Sequence, residues 1–312
     1  VNLISDDFNF EQYLDEQGSD TAKIKPASLW CDAVIDRFYG ENSPRHWTST
    51  GFQKMDGKFD LRTGEVTLWA GINGHGKTTF LSNVMLNVMG AGKRVCIASL
   101  EMKPAESMQK MTLQACGTPR PSKPYIRAFH AWTDDRLWIY DHVGKIATKR
   151  VLAVATYVRK ELGMDHLVID SLMKCGIGPE DYAGQKDFVD SLCTIARDTG
   201  LHIHLVVHMR KGEDEKTAPG KFGVKGASEI TDLVDNLVIV WKNVRKAPLN
   251  DDGTDPEPDQ PDAFVRIGKQ RHHPWEGSVA YWFSRGTQQF IENQWGRPRS
   301  MELALESEEV FS

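Results

Sequence analysis

A chain of 312 residues with 40% hydrophobic and 26% charged side chains is long enough to bury a full α/β core, and it has the balance of an ordinary soluble protein. No apolar run is long enough to span a membrane, nothing at the start resembles a secretory signal, and the five scattered cysteines never fall as C-x-x-C, so membrane spans, disulfide frames and zinc fingers are set aside. A formal net charge of −5 excludes a protein that coats nucleic acid by bulk charge and leaves a local basic surface open.

The chain begins at Val1 rather than Met, as expected of a piece of a longer protein. Residues 1–46 read as a linker: "DDFNFEQYLDEQGSD" is acidic and polar, whereas "SLWCDAVIDRFYG" spaces Leu29, Trp30, Val34, Ile35, Phe38 and Tyr39 as one face of a helix. That face needs a groove, on its own domain or on a neighbouring copy. The main domain is expected over 47–300. In it "EVTLWA", "RVCIASL", "LWIY", "HLVID", "LHIHLVV" and "LVIVW" read as short strands separated by helices, one of which Gly200 terminates. Such alternation predicts an α/β fold, a mostly parallel sheet flanked by helices. Residues 247–262, acidic and proline-rich, read as a loose loop. "AFVRIGKQ", "SVAYWFS" and "QQFIE" then read as closing antiparallel strands, and 301–312 as an acidic tail.

Between the first strand and the next helix stands "GINGHGKTT", which fits G-x-x-x-x-G-K-[ST]. Gly71, Ile72, Asn73, Gly74, His75, Gly76, Lys77, Thr78 and Thr79 form this candidate nucleotide loop. The glycines let backbone N–H groups turn in around phosphate oxygens, Lys77 reaches the β/γ-phosphates, and Thr78 is placed to ligate Mg²⁺. The expected ligands are therefore ATP, or another NTP or dNTP, and Mg²⁺. Asp170 ends the apolar strand "HLVID" and reads either as a second magnesium residue or as a helix cap. Glu101, in "SLEM", reads equally as the base for an attacking water or as a helix-start charge before Pro104. "LHIHLVVH" places His202, His204 and His208 on one strand face; the sequence near them lacks the other ligands of a metal site, and His208 alone ends the strand beside the expected γ-phosphate. Lys269 and Arg271, in "GKQR", read as a surface basic pair or as an arginine finger. The segment 209–226 carries Arg210, Lys211, Lys216, Lys221 and Lys225 with Gly226, a candidate DNA-binding loop directly after His208.

Taken in order, "GINGHGKT", "SLEM", "LVIDS", His208, "VKGASEITDLVDN" (224–236) and "KQR" resemble the RecA-type ATPase domain of DnaB-like replicative helicases, in particular phage primase-helicases and Twinkle. The likeness runs over about residues 47–292. It implies a RecA-like core, Glu101 as catalytic base, His208 as γ-phosphate sensor, and Lys269 with Arg271 reaching a neighbour's site. Lys242 and Phe283 fall where the family packs the nucleotide base. It further implies a ring, usually a hexamer, moving 5′ to 3′ on single-stranded DNA and opening forked DNA, in the cytoplasm of a bacterial host for a phage or prophage protein. The loop after His208 departs from the arginine-glycine-serine-glycine core of some phage members. The opening residues look like the end of a Toprim domain, so a primase half is expected upstream. The tail, with Glu306, Glu308, Glu309 and Phe311, reads either as a contact for a replication polymerase or a single-stranded-DNA-binding protein or as a solvated end with no role. The alternatives are a RecA/RadA-like recombinase and a non-unwinding, ATP-regulated loader on single-stranded DNA.

Overall fold

The computed structural model describes residues 2–3, 26–39, 47–209 and 228–303. In chain order these form β1 (Asn2–Leu3), α1 (Cys31–Tyr39), β2 (Trp47–Ser49), β3 (Asp60–Arg62), β4 (Val66–Gly71), α2 (Lys77–Gly90), β5 (Val95–Ser99), α3 (Pro104–Cys116), α4 (Lys123–Thr133), β6 (Leu137–Ile139), α5 (Thr148–Lys160), β7 (His166–Asp170), α6 (Tyr182–Thr199), β8 (His202–His208), α7 (Ser228–Leu233), β9 (Asn236–Lys242), β10 (Ala263–Gln270), β11 (Gly277–Ser284) and β12 (Gln289–Ile291).

Ten strands make one sheet in the order β1-β6-β5-β7-β8-β4-β9-β10-β11-β12. The first seven run parallel, and β10, β11 and β12 continue it antiparallel. This is the mostly parallel, helix-flanked sheet that the alternating pattern predicts, with the antiparallel strands expected at its C-terminal end. The central strands are apolar on both faces because helices cover both. Val154, Val158, Phe188 and Leu192 of α5 and α6 pack on one face; Phe80, Val84, Met108 and Phe129 of α2, α3 and α4 pack on the other. α6 stops at Gly200, whose φ of 75° is left-handed and whose N–H reaches the Ala196 carbonyl.

One expectation changes. The loop 247–262 is held in place: Lys246 Nζ bridges Asp255 (2.6 Å) and Asp262 (2.8 Å), and Trp282 Nε1 donates to the Pro258 carbonyl at 2.9 Å. A buried cation between two carboxylates orders a segment that composition alone reads as loose. The small β2–β3 sheet was not foreseen, since three-residue strands show too little alternation to detect. On α1 and the turn before it, Leu29, Trp30, Val34, Ile35 and Tyr39 are all exposed. The side chain of Phe38 lies outside the described residues, as do the acidic tail beyond residue 303 and the loop 210–227 with Arg210, Lys211, Lys216, Lys221, Lys225 and Gly226. Among the described residues, no helix is long and apolar enough to cross a membrane.

Candidate functional site

The site lies at the C-terminal ends of β4, β5, β7 and β8, where open α/β sheets receive ligands. Its floor is the loop from β4 into α2. Gly71 is obligatory for contact: a Cβ there would sit 2.4 Å from the Val240 carbonyl oxygen of β9. Gly76 is obligatory for conformation, with φ of 86°, and the Phe290 ring already stands 3.2 Å from where its Cβ would be. His75 is buried, and its Nδ1 accepts from the Lys242 N–H at 3.2 Å, tying the loop to the end of β9. Ile72 is buried and Asn73 and Gly74 are exposed; Thr79 sits in the first turn of α2, its carbonyl accepting from Gln114 at 3.0 Å.

Lys77 Nζ is buried and donates to the carbonyls of Gly71 (3.0 Å) and Ile72 (3.1 Å), with His208 Nδ1 at 3.5 Å. Burial lowers its pKa, and the nearby Asp170 and Glu101 carboxylates oppose that. Thr78 Oγ1 donates to Asp170 Oδ2 at 2.6 Å. Burial raises the Asp170 pKa against that hydrogen bond. The Asp170–Ser171 peptide is cis. Glu101 Oε1 accepts from Ser171 Oγ at 2.6 Å and lies 3.4 Å from His208 Nε2. The His208 hydrogen bond, then Ser171, holds the Glu101 carboxyl down at about 2 despite partial burial. Both contacts fall on Oε1.

Lys77, Thr78, Asp170, Glu101 and His208 are thus brought together from four separate strand ends. Lys242 and Phe283 sit at the same end of the sheet: Phe283 packs on Phe290 (ring centroids 5.0 Å apart), which packs against Gly76. Lys269 and Arg271 are elsewhere. Gln270 pairs with Asn236, and Asn236 with Thr67 at the start of β4, so the basic pair lies at the opposite end of the strands from Lys77. There Lys269 Nζ donates to the carbonyls of Thr231 and Asp232 (both 2.8 Å), and Arg271 to the Leu233 carbonyl (2.9 Å), with Asp235 at 3.2 Å. Sequence reasoning missed Ser171 and Lys174, which act on Glu101; Ser171 stood in the quoted "LVIDS" motif, but only its contact marks it out.

The cradle fits a triphosphate and magnesium: a loop turned through the left-handed Gly74 and Gly76, a buried ammonium, and a hydroxyl and a carboxylate 2.6 Å apart. The other two strand histidines fit no metal. His202 and His204 are buried and engaged by Thr67, the Arg62 carbonyl, Trp69 and His166.

Residues 32–214 match the AAA domain family. The chain is 25% identical over 211 residues to the DNA helicase/primase of Enterobacteria phage T3, covering 60% of this chain and 37% of that protein. It is 21% identical over 255 residues to the Twinkle homolog protein, chloroplastic/mitochondrial, of Arabidopsis thaliana, covering 76% of this chain and 34% of that one. The chain therefore spans just over a third of the length of these curated relatives. Among solved structures, the ATPase domain of G40P superposes with a TM-score of 0.66 at 16% identity, over 89% of this chain and 99% of that one. A DnaB-like replicative helicase, solved in a study of its interactions with primase, superposes with a TM-score of 0.67 at 15% identity, over 86% and 67%. The chain belongs to the AAA domain family, and it has the fold of the ATPase domains of these DnaB-like helicases.

Proposed function

We propose that this ATPase domain is the motor of a ring-forming DNA helicase that moves 5′ to 3′ on single-stranded DNA and unwinds duplex at a fork. The observation that carries the reading is the separation of Lys77 and Arg271 to opposite ends of the strands of one sheet. A phosphate cradle at one strand end and an exposed arginine at the other suit head-to-tail packing, in which each subunit completes its neighbour's site; when the rotation closes, such packing gives a ring. The names of the phage helicase/primase and of the DnaB-like helicase support the DNA substrate.

In this reading Lys77 and the loop N–H groups hold the phosphates, and Thr78 with Asp170 holds Mg²⁺, whose charge offsets that of the phosphates. Glu101 orients and deprotonates the water. A γ-phosphate drawing on His208 would loosen the contact that holds Glu101 down, so base strength rises only with substrate in place. Lys242 and Phe283 flank the base, and Lys269 and Arg271 act on the adjacent subunit's nucleotide. Residues 210–226, directly after the sensor, grip the DNA through Arg210, Lys211, Lys221 and Lys225. The exposed face of α1 docks on the neighbouring subunit. Hexamer size, an upstream primase half and a polymerase or single-stranded-DNA-binding partner belong to the same proposal.

Two experiments test it. Displacement of a strand from a forked duplex bearing a 5′ tail is expected with NTP and Mg²⁺; DNA-stimulated hydrolysis without displacement would favour a loader or a recombinase. Mixing Lys77→Ala chains with Arg271→Ala chains, each inactive alone, should restore part of the NTPase, because one supplies the arginine and the other the cradle. No rescue in rings shown to be mixed would place the arginine outside the neighbour's reaction.

A further inference from the structure

Between α2, α3 and the strand ends lies a second cavity of about 40 Å³, lined by Thr78, Ser99, Ser107, Lys110, Met102 and Asp170 among others. About 10–15 Å³ is enough to hold one water. Its polar walls are under-used. Ser99 and Ser107 are less than a tenth exposed, and neither hydroxyl has a hydrogen-bond partner among the described residues. Lys110 Nζ lies against the Met102 sulfur at 3.2 Å, a weak acceptor. Three donors therefore border a space whose lining contains one acid, Asp170. Thr78 takes one oxygen of that carboxylate, and Ser99 is its Cα partner in the β5–β7 ladder. A buried hydroxyl left dry carries the full desolvation cost of its group, so two beside one carboxylate point to a shared bridging partner.

We propose that Ser99 and Ser107 hold water in this cavity against Asp170, which makes Ser99 a positioning residue for the carboxylate that binds magnesium. Groups that hydrogen-bond a metal ligand from behind fix its orientation and basicity, and losing one typically weakens metal binding about 10–100-fold. Ser107 and Lys110 stand on α3, just after the Glu101 motif, so the same water couples the placement of that helix to the metal side of the site.

The inference rests on the Mg–NTP reading above, and the test separates the two. Affinity for a fluorescent N-methylanthraniloyl-ATP is measured in Mg²⁺ and in EDTA for the full chain and for Ser99→Ala and Ser107→Ala, with melting temperatures taken free of nucleotide. Wild type should bind more tightly in Mg²⁺ than in EDTA; if it does not, the proposed function fails. Ser99→Ala should lose about tenfold or more of the Mg²⁺-dependent gain, with affinity in EDTA unchanged, and Ser107→Ala should lose less in the same direction. An unchanged gain in both variants overturns the inference, as does an equal loss in Mg²⁺ and EDTA. A raised melting temperature for Ser99→Ala also overturns it, because it shows the hydroxyl dry. Should Ser99→Ala fail to fold, Ser107→Ala carries the same comparison from a different element.

Discussion

The strand β8 carries three histidines on one face, and its two ends treat them in opposite ways. At the start, His202 and His204 are fully enclosed with His166, the His202 and His204 rings 4.5 Å apart. Trp69 Nε1 donates to His204 Nδ1 at 3.0 Å; an indole can only donate, so His204 carries its proton on Nε2 and passes the bond to His166 at 3.1 Å. His202 Nδ1 donates to the Arg62 carbonyl, and its Nε2 accepts from Thr67 at 2.9 Å. Burial holds all three neutral, His202 down at about 4 and the other two well below their ordinary value. At the other end, His208 meets an ionised Glu101 and the Lys77 ammonium through contacts of 3.4–3.5 Å, long enough to give way to a ligand. One residue type on one strand thus serves as a closed packing element at one end and, in the proposed mechanism, as an open sensor at the other. The difference is whether neutral partners have saturated its nitrogens.

The sharpest break of this contrast is chemical. Glu101→Gln keeps the shape of the open end and removes its base, so kcat should fall about 10²–10⁴-fold while nucleotide binding persists; near-normal turnover would make Glu101 a helix-start charge. Next come the histidines themselves. His204→Leu leaves the Trp69 N–H and a His166 nitrogen unsatisfied in the core and should cost about 2–5 kcal/mol in denaturant unfolding. His208→Ala should change stability by less than about 1 kcal/mol yet lower turnover at least about tenfold. Equal stability losses in the two variants would erase the distinction.

The smallest effect is a pH dependence at the closed end. Burial holds Glu65 up at about 7, even though Asn236 donates to its Oε2 at 2.8 Å. Its Oε1 lies 3.4 Å from His272 Nε2 without hydrogen-bond geometry. The native state therefore holds this proton more tightly than the unfolded chain, and the stability it gives is complete below about pH 4.5 and lost as pH rises through about 7. Glu65→Gln removes that loss, so it should exceed wild type by on the order of 1–3 kcal/mol above pH 8 and converge with it below pH 4.5. His202 has the opposite sign: its contribution is present above pH 6.5 and lost as pH falls through about 4. Both proteins should therefore weaken in acid, and a pH-independent difference between them would overturn the assignment to Glu65.

The parallel strands and the open end were legible because their signals are local. Apolar runs such as "HLVID" mark buried strands, and Lys77, Thr78, Glu101, Asp170 and His208 each stand in a short motif at a strand end. The closed end was not legible. The Glu65–Asn236–Thr67–His202 chain joins β4, β8 and β9 with the residue just before β4, and it exists only once register places them side by side. Ser99 and Ser107 were silent for the same reason, since an unsatisfied hydroxyl is a property of surroundings. The order of the loop 247–262 depends on Lys246, whose two carboxylate partners stand nine and sixteen residues away.

Gly71 has a further consequence for reading descendants of this chain. What forbids a side chain there is the Val240 carbonyl of the adjoining strand, 2.4 Å from where a Cβ would stand, and no phosphate enters into it. A lineage that had abandoned the reaction and kept the sheet would still be held to glycine at this position. It would be free to drift at Lys77, whose ammonium is held among the described residues by loop carbonyls and His208. Of the motif's fixed letters, the first therefore testifies to architecture, and the lysine testifies to chemistry still in use.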